Sequence, residues 1–192
     1  MLPTLITFAY LIGSISSAVI VCKILNLPDP RTQGSNNSGA TNVLRIGGKK
    51  AAAITLISDG LKGAIPILIA HYLALDTLEM TILVLAAFLG HVYPIFFGFK
   101  GGKGVATFLG ALLALNYLVG LGFIITWVFV AKVLKISSLS ALIATLLMPI
   151  YFYLIIGNPV ATYLIILICL WIFYTHRSNI KRLFNNQEKT IN

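Results

Sequence analysis

Val105-Ala-Thr-Phe-Leu-Gly-Ala-Leu-Leu-Ala-Leu-Asn116-Tyr117-Leu-Val-Gly120-Leu-Gly122-Phe-Ile-Ile-Thr-Trp-Val-Phe-Val-Ala-Lys132-Val-Leu134 is the stretch on which the fold turns. It carries no charge before Lys132, and its one turn signal is the group Asn116, Tyr117, Gly120 and Gly122. A single helix over all of it would run about 45 Å at ~1.5 Å per residue. That is too long to cross a ~30 Å hydrocarbon core without steep tilt. The stretch is therefore read as two short helices, 105–118 and 119–134, joined by a tight turn. Working outward, apolar runs place spans near 3–23, 53–72 and 79–97 before it, and 139–156 and 159–175 after it. The expectation is an all-α integral membrane protein of seven transmembrane helices, one polytopic domain over 1–192, with its active site on the cytoplasmic loops.

Composition agrees. Of 192 residues, 58% are apolar and 10% charged, against about 25% charged in an ordinary soluble domain, and the mean hydropathy is +0.95. A cytosolic globular domain, a disordered chain and a nucleic-acid binder are excluded, despite a net charge of +9. The charge sits on one side. Lys23, Arg31, Arg45, Lys49, Lys50, Lys100, Lys103, Lys132, Lys135, Arg177, Lys181, Arg182 and Lys189 lie in or beside segments 24–52, 98–104, 133–138 and 176–192. Lys62 is inside the second span, and the opposite side has only Asp76 and Glu79. The positive-inside rule then puts the N-terminus outside and the C-terminus in the cytoplasm; five or six spans would strand a basic cluster outside. Residues 1–25 lack a basic n-region and a small-x-small cleavage site, so they are expected to remain as the first span. No internal repeat appears, which weakens an inverted-repeat transporter. Cys22 and Cys169 lie in apolar runs and do not read as a disulfide framework.

The unusual residues are cytoplasmic. The connection 26–50 is long for so small a membrane protein, and long loops are often functional. Its centre, Gly34-Ser35-Asn36-Asn37-Ser38-Gly39-Ala40-Thr41-Asn42, is dense in hydroxyls, amides and glycines, with Arg45 following. It reads either as a flexible polar loop or as a set of anion donors. The second connection, Lys100-Gly101-Gly102-Lys103-Gly104, leads straight into a helix whose N-terminal N–H groups and dipole favour phosphate. It is not a Walker loop: Phe97 stands where that motif needs its first glycine, and Gly104 follows the lysine. The other reading is a basic turn lying among lipid headgroups. At the C-terminal end, His176 and Asn179 share a helix face at i, i+3. Asp59 and Lys62 also stand at i, i+3 within a span, as a structural ion pair or with Lys62 reaching the site. Ser137, Ser138 and Ser140 are open between ligand contact and helix capping. His71 and Asp76 match the His-x4-Asp spacing of a group of acyltransferases, but they lie on the outer side, away from every basic residue, and read as a coincidence.

Gly13-Ser14-Ile15-Ser16-Ser17, Leu27-Pro28-Asp29-Pro30-Arg31, Gly39-Ala40-Thr41-Asn42-Val43-Leu44-Arg45, Asp59-Gly60-Leu61-Lys62-Gly63, Gly90-His91-Val92-Tyr93-Pro94, Lys100-Gly101-Gly102-Lys103-Gly104-Val105-Ala106-Thr107 and His176-Arg177-Ser178-Asn179-Ile180-Lys181-Arg182 together resemble one family. It is the bacterial acyl-phosphate:glycerol-3-phosphate acyltransferases, the PlsY type. The resemblance covers nearly the whole chain. It implies a multi-pass protein of the bacterial inner membrane in phospholipid synthesis. The acyl group would move from acyl phosphate to the sn-1 hydroxyl of glycerol 3-phosphate, giving lysophosphatidic acid and phosphate. Ser35 and Arg45 match the family's first motif, residues 101–107 its phosphate-binding motif, and His176 and Asn179 its third. The expected catalytic set is Lys103, His176, Asn179, Arg45 and Ser35. Ser35, Arg45, His176 and Asn179 are assigned to glycerol 3-phosphate. Gly101, Gly102, Lys103 and Gly104, with Thr41, Asn42 and Ser138, are assigned to acyl phosphate. No cofactor, metal, nucleic acid or obligate protein partner is expected, only the two substrates and membrane lipid.

The chemistry fits the charges. Two phosphates bring roughly four negative charges, which Arg45, Lys103, His176 and backbone donors can answer. Phosphate is a good leaving group, so direct attack by the glycerol hydroxyl needs no covalent acyl-enzyme, and Cys22 has no evident base. His176 or a substrate phosphate oxygen would take the proton, and the substrate oxygen is preferred because a histidine between phosphates is held protonated. A small phosphate-ester or anion transporter is the rival from another class.

Overall fold

Among the described residues, 1–191 of the computed structural model, the chain forms nine α-helices and one short 3-10 turn, and no strand. It divides into two compact units, Met1–Leu115 and the chain from Asn116 onward.

The first unit holds α1 (Leu2–Gly13), α2 (Ser17–Ile24), α3 (Ala40–Tyr72), α4 (Thr77–Val92) and α5 (Val105–Leu115). The expected first span, 3–23, breaks between α1 and α2 at Ser14-Ile15-Ser16. There Ser14 Oγ donates to the Tyr10 carbonyl at 2.8 Å. The carbonyl that the break releases, Ile15, accepts from Lys62 Nζ at 2.7 Å. A backbone carbonyl without a partner would be costly in lipid, so the lysine of one helix supports the break in another. The connection expected over 26–50 is also shorter than its sequence implied. Helix α3 starts at Ala40 and is interrupted only at Gly48, where φ is 75°, a conformation that favours glycine.

Helix α4 begins at a capping box: Glu79 N donates to Asp76 Oδ1 at 2.8 Å, and Asp76 N to Glu79 Oε2 at 3.0 Å. The two carboxylates of that end are thus helix caps. Small residues let the helices touch. A Cβ on Gly13 of α1 would run into the Ala87 carbonyl of α4, and one on Gly63 of α3 into the Thr107 carbonyl of α5. Backbone approach of this kind holds spans together where burial from water cannot.

The second unit holds α6 (Tyr117–Leu134), α7 (Ser137–Ile156), α8 (Pro159–Thr175) and α9 (Arg177–Phe184). The turn expected near 118 falls at Asn116, whose Oδ1 accepts from the backbone of Leu118 and Val119 at 2.9 and 3.3 Å. A side-chain cap fixes the helix start more firmly than the glycines beyond it. Asn158 caps α8 in the same way, accepting from Ala161 N at 3.0 Å. Phe123, Met148, Phe152, Ile165 and Ile168 are buried.

Five stretches are long and apolar enough to cross a membrane: Leu2–Ile24, Ala40–Tyr72, Thr77–Phe97, Tyr117–Leu134 and Ser137–Ile156. The pair α8 and α9, bent by 58°, makes a sixth if it is one span, and Val105–Leu115 is a shorter apolar helix.

Candidate functional site

The chain between α2 and α3 is organised by Asn42. Its Oδ1 accepts from Ser35 N at 2.8 Å. Its Nδ2 donates to the carbonyls of Pro30, Gln33 and Asn37 at 2.8, 2.9 and 3.1 Å. At 1% exposure, with two N–H groups shared among three carbonyls, this side chain shapes the loop. It does not reach outward as the sequence reading supposed. Ser35, Thr41 and Arg45 around it are exposed. Asp29 is held below the usual carboxylate range by hydrogen bonds and charge from Arg31, and Arg31 is raised by the same pair; the two are 2.7 Å apart.

The 101–104 loop lies against that segment and against the end of α4. Gly102 N donates to the His91 carbonyl at 3.2 Å. A side chain at Gly102 would run into the His91 imidazole and come 3.0 Å from the Ser38 carbonyl oxygen. Gly104 has φ of 87° and faces the Phe88 ring, where a Cβ would not fit. The glycines that read as a cradle for an anion are therefore required first by close packing. Lys103 between them is half-buried, and α5 starts two residues later at Val105. Two segments far apart in sequence, 35–45 and 101–104, are thus brought together within the first unit.

A buried polar cluster stands behind this loop. Lys62 Nζ lies 2.8 Å from Asp59 Oδ1, so the ion pair forms. The same ammonium holds the Ile15 carbonyl. Sequence reasoning missed the third member. His91 Nδ1 is 3.7 Å from Asp59 Oδ1 and 3.2 Å from Thr107 Oγ1. The signal was present in Gly90-His91, but nothing in linear spacing ties it to residue 59 or 107.

In the second unit, His176 and Asn179 are 3% and 4% exposed. His176 Nδ1 lies 2.8 Å from the Ile172 carbonyl. A carbonyl only accepts, so Nδ1 carries the hydrogen. Asn179 Nδ2 and Ser138 Oγ both donate to Glu188 Oε1, at 2.6 and 2.8 Å, and Arg182 Nε donates to Glu188 Oε2 at 2.6 Å. Burial raises the Glu188 carboxyl, but the three hydrogen bonds and the guanidinium outweigh it and hold the group below its ordinary range. Glu188 is not singled out by the sequence, because it stands alone near the end of the chain. The chain turns back there through Gln187 N donating to the Arg182 carbonyl at 2.8 Å, and Ile191 N reaches the Lys135 carbonyl at 2.7 Å.

At the other end, His71 Nε2 lies 2.9 Å from the Ala114 carbonyl, and Asp76 is the α4 cap. All five acidic side chains thus have a partner: Asp29 with Arg31, Asp59 with Lys62, Asp76 and Glu79 in the cap, and Glu188 with its three donors. Among the described residues no group of three or more His, Cys, Asp or Glu side chains converges.

Helices of this length and apolarity, with glycine-bearing polar connections packed on one another, define an integral membrane protein whose candidate site lies in its loops. Residues 3–186 match the family model described as glycerol-3-phosphate acyltransferase, and the chain belongs to that family. A glycerol-3-phosphate acyltransferase of Ruthia magnifica subsp. Calyptogena magnifica is 78% identical over 98% of this chain and 95% of its own. One of Thioalkalivibrio sulfidiphilus is 50% identical over 97% and 92%. Among solved structures, the glycerol 3-phosphate form of PlsY, an integral membrane glycerol 3-phosphate acyltransferase, superposes with a TM-score of 0.94. It is 38% identical and covers 100% of this chain and 96% of its own. The lysophosphatidic acid form gives 0.91 at 38% identity, covering 98% and 94%.

Proposed function

We propose that this chain transfers an acyl group from acyl phosphate to the sn-1 hydroxyl of glycerol 3-phosphate, releasing phosphate and leaving 1-acyl-glycerol 3-phosphate in the bilayer. The reading takes the chain as a single polytopic domain of seven crossings in the bacterial inner membrane, with its site on the cytoplasmic side. The observation that carries it is the meeting of the 35–45 segment with the Lys103 loop at Gly102. Both segments are rich in anion donors, and relatives crystallised in glycerol 3-phosphate and lysophosphatidic acid forms supply the substrate and product chemistry.

In this reading Lys103 and the N–H groups of the 101–104 loop hold the acyl phosphate and stabilise the charge that develops on its oxygens. Thr41 and Ser138 assist, and Asn42 serves by shaping the loop. Arg45, Ser35, His176 and Asn179 hold glycerol 3-phosphate. The glycerol hydroxyl oxygen attacks the carbonyl carbon, the carbon–oxygen bond to phosphate breaks, and phosphate leaves with the electron pair. The hydroxyl proton passes to a substrate phosphate oxygen. The engagement of every carboxylate supports that assignment, because Glu188, held below its usual range, is a weak base.

The test is phosphate release by purified protein in detergent or lipid cubic phase, from palmitoyl phosphate with and without glycerol 3-phosphate. Release that requires both substrates, falls steeply in Lys103→Ala and persists in His71→Ala is the expected result. No release from folded protein in any lipid, with net uptake of the phosphate ester into proteoliposomes, would replace the enzyme with a transporter.

A further inference from the structure

Ionisable side chains inside a span carry a cost that calls for a reason. The ion pair of Asp59 with Lys62 needs no third member: the charges cancel, and the ammonium has the Ile15 carbonyl as well. His91 is nevertheless built in, 6% exposed. Its ring sits beside Asp59 Oδ1 on α3 and Thr107 Oγ1 in the first turn of α5. Its carbonyl receives Gly102 N, and its imidazole fills the space where a Gly102 side chain would stand. One residue thus grips the loop immediately before Lys103 and again shortly after it. Asp59 Oδ1 lies 3.7 Å from the ring nitrogen, and Lys62 links Asp59 to the broken helix.

We propose that His91, with Thr107 and Asp59, is a positioning residue for Lys103: the cluster sets the backbone of the 101–107 segment so that the lysine meets substrate phosphate. This rests on the reading of Lys103 as a phosphate contact. The cluster touches no reacting atom and acts through the loop. Loosening one of its hydrogen bonds lets Lys103 wander, and the loss appears as weaker binding of the phosphate that Lys103 holds.

The experiment uses the purified full-length protein with palmitoyl phosphate and glycerol 3-phosphate, measuring kcat, the KM of each substrate and the thermal midpoint. Thr107→Val removes the hydroxyl at similar shape, Thr107→Ser keeps it, and His91→Gln keeps a hydrogen-bonding group. Lys103→Ala is the reference. Thr107→Val and His91→Gln are expected to raise, by about tenfold, the KM of the same substrate whose KM Lys103→Ala raises. Thr107→Ser recovers the wild-type value, and adding Thr107→Val to Lys103→Ala changes nothing further, as two members of one unit should behave. A lowered thermal midpoint with unchanged KM in Thr107→Val, or additive effects in the double variant, would make the cluster a scaffold and overturn the proposal. If Lys103→Ala itself moves neither constant, the reading of Lys103 falls. If Lys103→Ala acts but Thr107→Val and His91→Gln are silent, only the positioning falls. Should His91→Gln fail to fold, the Thr107 pair decides alone.

Discussion

At the scale of single residues, His176 is defined by its hydrogen bond. With Nδ1–H directed to the Ile172 carbonyl, the ring is held in one orientation and one tautomer. If a substrate oxygen takes the proton, His176 only binds, and glutamine retains a donor. His176→Gln is then expected to raise KM for glycerol 3-phosphate more than it lowers kcat. A fall of about 10³ in kcat at constant KM would instead make it the base. Gly102 offers a second test at this scale. Gly102→Ala places a methyl against the His91 ring and the Ser38 carbonyl, and the loop must shift to admit it. Activity is expected to drop at least tenfold while the protein still folds, since overpacking at one loop costs about 1–3 kcal/mol. Activity assay beside a thermal melt checks it. The proposed site residues Ser35, Arg45, Lys103, His176 and Asn179 are legible at this scale as polar groups at the ends of apolar runs. Asn42, His91 and Glu188 were misread or missed. Their partners lie across the fold or in the backbone of a loop, and neither relation leaves a periodic trace.

At the scale of elements, α9 is held by a carboxylate that follows it. Glu188 gathers Ser138 from α7, and Asn179 and Arg182 from α9 itself, so one side chain joins the start of α7 to α9 within its unit. Glu188→Ala leaves the donors of two buried side chains unanswered and is expected to cost about 2 kcal/mol, read as a lower thermal midpoint. The pH dependence has a definite sign. Because the folded state holds this carboxyl below its ordinary range, the unfolded chain binds the proton more readily. The stabilisation is complete above about pH 4.5 and disappears as pH falls through the folded value. Thermal midpoints of wild type and Glu188→Gln should therefore converge on acidification, and a gap that stays constant down to pH 3 would refute the assignment. The helices themselves were legible from apolar runs, to within a few residues. The break at residues 14–16 and the helix opening at Ala40 were not. The first depends on a lysine from another helix, and the second on an Asn42 whose bonds run to loop carbonyls.

At the scale of the whole molecule, the basic residues were the clearest sign in the sequence, and they lead to a statement about sides. Apart from Lys62, every lysine and arginine lies in or beside the connections assigned to the cytoplasm. The two carboxylates of the opposite side close a helix cap. Reversing the orientation would place thirteen cations, the listing of basic residues less Lys62, on the side where the rule disfavours them. Tyr72, 89% exposed at the end of α3, and Lys49, exposed near its start, are therefore expected on opposite faces of the membrane. Cys22 and Cys169 are free thiols, both buried, and replacing each with alanine gives a silent background. In spheroplasts of a bacterial host, a membrane-impermeant maleimide should label Tyr72→Cys directly and Lys49→Cys only after permeabilisation. The reverse pattern would turn the protein over and move the candidate site to the outer face. Labelling of both without permeabilisation would mean that this part of α3 does not cross, and the count of seven would fall with it.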